Sequence, residues 1–118
     1  MNVVRKISDP LALSPVERTT DRMARVAAIA ADAVDAVDRE SRFPLETAEA
    51  LKHERLLGVA IPAELGGEGL GTAAVADLVV QLAQACGSSA MVYAMHQIQI
   101  SSLATHGVTS EWHRAFMR

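Results

Sequence analysis

Two stretches of this 118-residue chain hold residue types whose spacing could do chemistry. The first, Gly69-Leu70-Gly71-Thr72-Ala73-Ala74, fits G-x-G-x-x-G/A, a turn that can bring backbone N–H groups up to a dinucleotide's pyrophosphate. That fingerprint needs a strand before the glycines, a helix after them, and a second strand with an acid about twenty positions on. Here only a brief Val59-Ala60-Ile61 precedes the glycines, and the helix that follows leads straight into another helix. The glycines therefore read as turn formers that let a loop reverse tightly between helices.

The second stretch is Met91-Val92-Tyr93-Ala94-Met95-His96-Gln97-Ile98, where His96 and Gln97 interrupt an apolar helical segment. A buried imidazole or amide needs a hydrogen-bond partner, so a satisfied core histidine is the default and a ligand pocket the alternative. Met91, Ala94, Met95 and Ile98 recur at helical spacing and would form a smooth apolar wall, either for plain helix packing or for a pocket. The remaining candidates are weaker. His53, His96, His106 and His113 show no H-x-x-x-H or Cys/His ligand spacing, so no metal site is expected. No Gly-x-Ser-x-Gly elbow occurs, and Ser88, Ser89, Ser101 and Ser102 read as caps or packing residues. Cys86 is the single cysteine, which excludes an internal disulfide and suits a small buried thiol in a reducing compartment.

Composition narrows the function classes further. The length suits one domain, and with half the residues hydrophobic but only 3% aromatic, the core must be built from Ala, Val, Leu, Ile and Met. A net charge of −3 with no Lys/Arg run interleaved with aromatics gives no field for a nucleic-acid backbone. The first residues lack the apolar run of a signal peptide, and Ser88 to Leu103 is too short and too polar to span a bilayer. A soluble, cytoplasmic protein is expected.

Five helices must position these residues. Ser14-Pro15-Val16-Glu17 combines a capping serine, a proline at the first helical position and a reciprocating glutamate. Val16, Thr20, Met23, Val26, Ala27, Ala30, Val34 and Val37 then mark the inner stripe of a helix to about Arg39, with the charges on its solvated face. Pro44 and Glu46 open a second helix through about His53, an exposed side chain, and the loop VAIPAELGGEGLG follows. Thr72 is placed to cap a third helix from Ala73 to about Cys86, with Val75, Leu78, Val79 and Leu82 as its stripe. A fourth runs from about Ser89 to Thr105 with apolar residues all round, the pattern of a helix enclosed by neighbours. Thr109 or Ser110 caps a fifth, and the fold class expected is an all-α bundle.

RFPLETAEALKHERLLGVAIPAELGGEGLG, followed by LVVQLAQACGSSA, closely resembles the N-terminal helical domain of the acyl-CoA dehydrogenase family. The matching positions are Phe43-Pro44, Leu57-Gly58, Ile61-Pro62, Gly66-Gly67, Gly69-Leu70 and Leu82-Ala83, with Gln81 in place of the usual glutamate. The resemblance implies an extension over residues 1–13 and a domain over 14–118. It further implies a parent enzyme that uses FAD to dehydrogenate acyl thioesters such as acyl-CoA, with the flavin segments and the carboxylate base in parts this chain lacks. The chain is thus expected to be a fragment, inactive alone, retaining no FAD and self-associating through exposed docking faces. By the same resemblance Met91, Ala94, Met95 and Ile98 fall on a wall of the acyl pocket, and His96 and Gln97 are candidates for a flavin or substrate pocket. A flavin monooxygenase of the same fold, or a stand-alone helical interaction module, are the alternatives.

Overall fold

The computed structural model describes the backbone from Pro15 and the side chains from Thr19 to Arg118. The expected cap Ser14 and the extension over 1–13 lie outside the described residues. Five α-helices follow in order: α1 Pro15–Glu40, α2 Leu45–His53, α3 Thr72–Ala83, α4 Gly87–His106 and α5 Glu111–Met117, with a 3-10 turn at Ala63–Leu65. No strand occurs among the described residues, so the all-α reading holds.

The core gathers Met23, Val26 and Ala30 of α1, Leu51 of α2, Leu56 and Val59 of the loop, Leu78 and Leu82 of α3, and Tyr93 of α4. A smaller cluster joins Ile61 and Leu65 of the loop to Met117 of α5. Among the described side chains the α1 stripe differs from expectation at one place: Thr19 is buried and Thr20 is exposed, because Thr19, four residues before Met23, continues the face of Met23, Val26, Ala30 and Val37, from which Thr20 is turned away. Thr20 serves instead through its carbonyl, which accepts from Gln81 Nε2 at 3.0 Å and so ties α3 to α1.

Two helices end in the same motif without glycine. At the end of α1, Arg42 N–H donates to Val37 O and Ser41 N–H to Asp38 O, with Ser41 at φ 49°. After α2, Leu56 N–H donates to Leu51 O and Arg55 N–H to Lys52 O, with Arg55 at φ 59°. Both are Schellman closures whose left-handed residue would be least strained as glycine. Arg42 then braces the α1–α2 corner, its guanidinium bonded to Glu46 at 2.7 and 3.0 Å, and these bonds hold the Glu46 carboxyl down at about 2.

The glycine-rich loop closes on itself. Leu65, Gly66, Gly67, Gly69 and Leu70 donate their N–H groups to Pro62, Ala63, Pro62, Ile61 and Val59 respectively. A Cβ on Gly67 would lie 2.1 Å from Ile61 O. The N–H groups of Gly66, Gly67 and Gly69 are used within the loop itself, which supports turn formation as the role of these glycines.

Thr72 does not cap α3. Gly71 holds the N-cap position in extended geometry without a side-chain cap bond, and Thr72 is the first helical residue. The helix also stops at Ala83, because Ala85 N–H bonds Leu82 O, three residues back, instead of the carbonyl four back.

These closures set opposite expectations for two glycine exchanges. Ser41→Gly removes left-handed strain and should raise unfolding free energy by about 1 kcal/mol. Gly67→Ala drives a methyl group into backbone and should lower it by about 3 kcal/mol or more. Urea denaturation followed by helical circular dichroism checks both.

Candidate functional site

The carbonyls of Leu56 and Leu57, just past the α2 closure, are where α4 is fastened. Tyr93 O–H donates to Leu56 O at 2.9 Å, and Gln97 Nε2 donates to Leu56 O at 3.1 Å and to Leu57 O at 3.0 Å. His96 Nε2 lies 2.9 Å from Leu57 O; a carbonyl only accepts, so Nε2 carries the proton. One turn before Tyr93, Ser89 Oγ donates to Thr47 Oγ1 at 3.1 Å, fixing the start of α4 to α2. The positions 89, 93, 96 and 97 thus make a polar seam along the side of α4 that faces the protein.

This seam corrects the expectation of an enclosed helix. Ser89, Ala90, Tyr93 and Gln97 are buried, whereas Met91, Met95 and Ile98 are 64%, 52% and 63% exposed. Apolar residues do occur all round α4, but its inner face spends its positions on hydrogen bonds, which leaves the large apolar side chains outside. Burial pushes the Tyr93 hydroxyl well above the ordinary tyrosine range, so it stays a donor through that range. Gln97 Oε1 is buried without a partner, the amide being turned so that its nitrogen serves the two carbonyls.

Beside the seam, α3 and α4 enclose an open groove of about 470 Å³. Val75, Ala76, Val79 and Val80 line it from α3, and Ala94, Gln97, Ile98 and Ser101 from α4, with Thr72 at one end. The sequence-derived candidates therefore divide: Ala94, Gln97 and Ile98 line the groove, Met91 and Met95 do not line it but are exposed on the same helix, and His96 is committed to Leu57 O. Val79 and Val80 escaped the sequence reading as site residues. Val79 reads as stripe, and the one signal for Val80 was a large apolar side chain next to, and off, the buried stripe.

No charged side chain lines the groove, so its residues do not fit the pyrophosphate of a flavin or any dinucleotide. Among the described residues, no cluster of three or more His, Cys, Asp or Glu could hold a metal ion, and no helix is long and apolar enough to cross a membrane. The family model for the acyl-CoA dehydrogenase N-terminal domain matches residues 17–116.

The chain belongs to the acyl-CoA dehydrogenase family. Comparisons with curated proteins and with solved structures returned no match. In this family member the loop and α2 exit that carried the resemblance, from Phe43 to Gly71, are also the segment on which α4 hangs.

The doubled donors on Leu57 O make a non-additive pair. His96→Leu leaves Gln97 on that carbonyl and should cost about 1 kcal/mol; Gln97→Met leaves His96 and also removes the partnerless oxygen, so it should cost less. The double variant strips the carbonyl, and the two losses should combine with an extra penalty of about 1 kcal/mol or more. A double-mutant cycle in urea checks it, and strict additivity would show that the carbonyl is served in some other way.

Proposed function

We propose that residues 14–118 form the N-terminal domain of an FAD-dependent acyl-CoA dehydrogenase, and that the outward face of α4 is one wall of its acyl pocket. Met91, Ala94, Met95 and Ile98 are the residues assigned to the substrate. The observation that carries this reading is the apolar groove between α3 and α4, continued on the surface by exposed Met91, Met95 and Ile98. A fatty acyl chain offers no hydrogen-bonding groups, and apolar area alone holds it, at about 0.8 kcal/mol per methylene. An exposed apolar face of this kind is usual where another part of a protein or a ligand covers it, and uncovered it favours self-association.

None of the groove residues is a carboxylate or another base. Their part is to hold the acyl chain by shape, while removal of the α-proton and acceptance of the β-hydride fall to groups outside this face. FAD dependence rests on the family. His96 lends no support to oxygen chemistry of the monooxygenase kind, since its ring N–H is already donated to Leu57 O. The lone Cys86, buried as a thiol, is in keeping with a cytoplasmic protein.

The test is to express the complete reading frame that contains these residues. A yellow protein whose flavin absorbance bleaches on adding acyl-CoA without an external acceptor is the expected result; a colourless protein indifferent to acyl-CoA overturns the proposal. In the yellow protein, Ala94→Phe should shift preference to shorter acyl chains, with kcat/KM for the longest falling roughly tenfold or more. Unchanged chain-length preference together with lowered stability would make Ala94 a packing residue only.

A further inference from the structure

A second recess of about 390 Å³ shares no lining residue with the α3–α4 groove, and its chemistry is opposite. Arg22, Lys52, Arg55 and Arg118 stand around it, with Glu68 as its one acid. These cations come from α1, α2, the α2 closure and the end of α5, so the sequence separates what the fold gathers. The chain as a whole is acidic at −3, which makes a concentration of four cations at one recess notable.

The charge there is not consumed internally. Glu68 is paired with Arg22, whose other guanidinium nitrogen bonds Glu54 O at 2.9 Å. Among the described residues no carboxylate lies within ion-pairing distance of Lys52, Arg55 or Arg118. Arg55 also occupies the left-handed position of the α2 closure, at φ 59°, where glycine would be free of strain. Glycine would be the less strained residue there, and the arginine supplies a guanidinium to the recess. The walls add Leu57, Ile61 and Leu65, so the recess combines cationic donors with apolar surface.

We propose that this recess binds a small phosphorylated organic anion, with the phosphate groups on Lys52, Arg55 and Arg118 and the organic part against Leu57, Ile61 and Leu65. Guanidinium forks match phosphate oxygens two at a time, and a lysine adds a mobile point charge. The volume lies within the range of small-ligand pockets. The acyl groove and the recess share no lining residue, so the binding test below does not draw on the dehydrogenase reading.

Isothermal titration calorimetry of the full chain at low ionic strength tests it, with inorganic pyrophosphate, ADP and a hexaglutamate peptide as the probes. The expected result is saturable binding of one pyrophosphate per chain, tighter binding of ADP, and weakening with added salt. Arg55→Gly should weaken both by roughly tenfold or more, while thermal stability holds or rises, as relief of left-handed strain requires. Lys52→Met, on an exposed side chain, gives the same readout should Arg55→Gly disturb the fold. The proposal is overturned by no saturable binding of either phosphate probe, or by affinities unchanged in a folded variant. Binding of hexaglutamate but not of the phosphates also overturns it, in favour of an acidic protein segment as the occupant.

Discussion

Two backbone carbonyls without helical partners, those of Leu56 and Leu57, decide how the described part of this domain is arranged. They emerge just after the α2 closure has turned the chain, in a region where a bare acceptor would be destabilising. Tyr93, His96 and Gln97 supply the donors, and all three stand on α4. Once those side chains are turned inward, the rotation of α4 about its own axis is fixed. Met91, Met95 and Ile98 then have nowhere to go but outward. The apolar face and the groove beside α3 are consequences of a polar requirement on the other side of the same helix.

The same closure shapes the cationic recess. Turning the chain through a left-handed Arg55 sends Leu56 and Leu57 toward α4 and leaves the Arg55 side chain beside Lys52 at the mouth of the cationic recess. Glu54, one residue earlier, is held by a two-bond fork from Arg25 at 2.8 and 2.9 Å, and its carboxyl is kept below the usual range by those bonds. One short stretch, Glu54 to Leu57, thereby connects α1, α2 and α4.

Much of this was legible in the sequence where periodicity and punctuation are strong. The second helix ends at His53 as read, the glycines act as turn formers, and Val75, Leu78 and Leu82 are the buried stripe of α3. The family, too, was readable from Phe43-Pro44 through Gly69-Leu70. The fourth helix departs from its reading as an enclosed helix because apolar residues all round a helix imply burial on every side. In α4 the inward positions are Ser89, Tyr93 and Gln97, chosen by carbonyls and a hydroxyl some forty residues away, which no local pattern records. The recess was invisible for a related reason: Arg22, Lys52, Arg55 and Arg118 form no run in the chain and meet only when it folds.

The fastening of α4 can be read directly, because Tyr93 is the one tyrosine in the chain. Its hydroxyl is a buried donor whose ionisation is pushed upward by burial, so its contribution to stability is complete below the ordinary tyrosine pKa of about 10 and is lost as pH rises beyond it. Tyrosinate absorbance and helical circular dichroism followed together through an alkaline titration give the measurement. The expected result is that tyrosinate appears above the ordinary range and in step with loss of helix, as one cooperative transition. Tyrosinate forming smoothly with a midpoint near 10 while the helices stay intact would place the Tyr93 hydroxyl in water and contradict the arrangement of α4 described above.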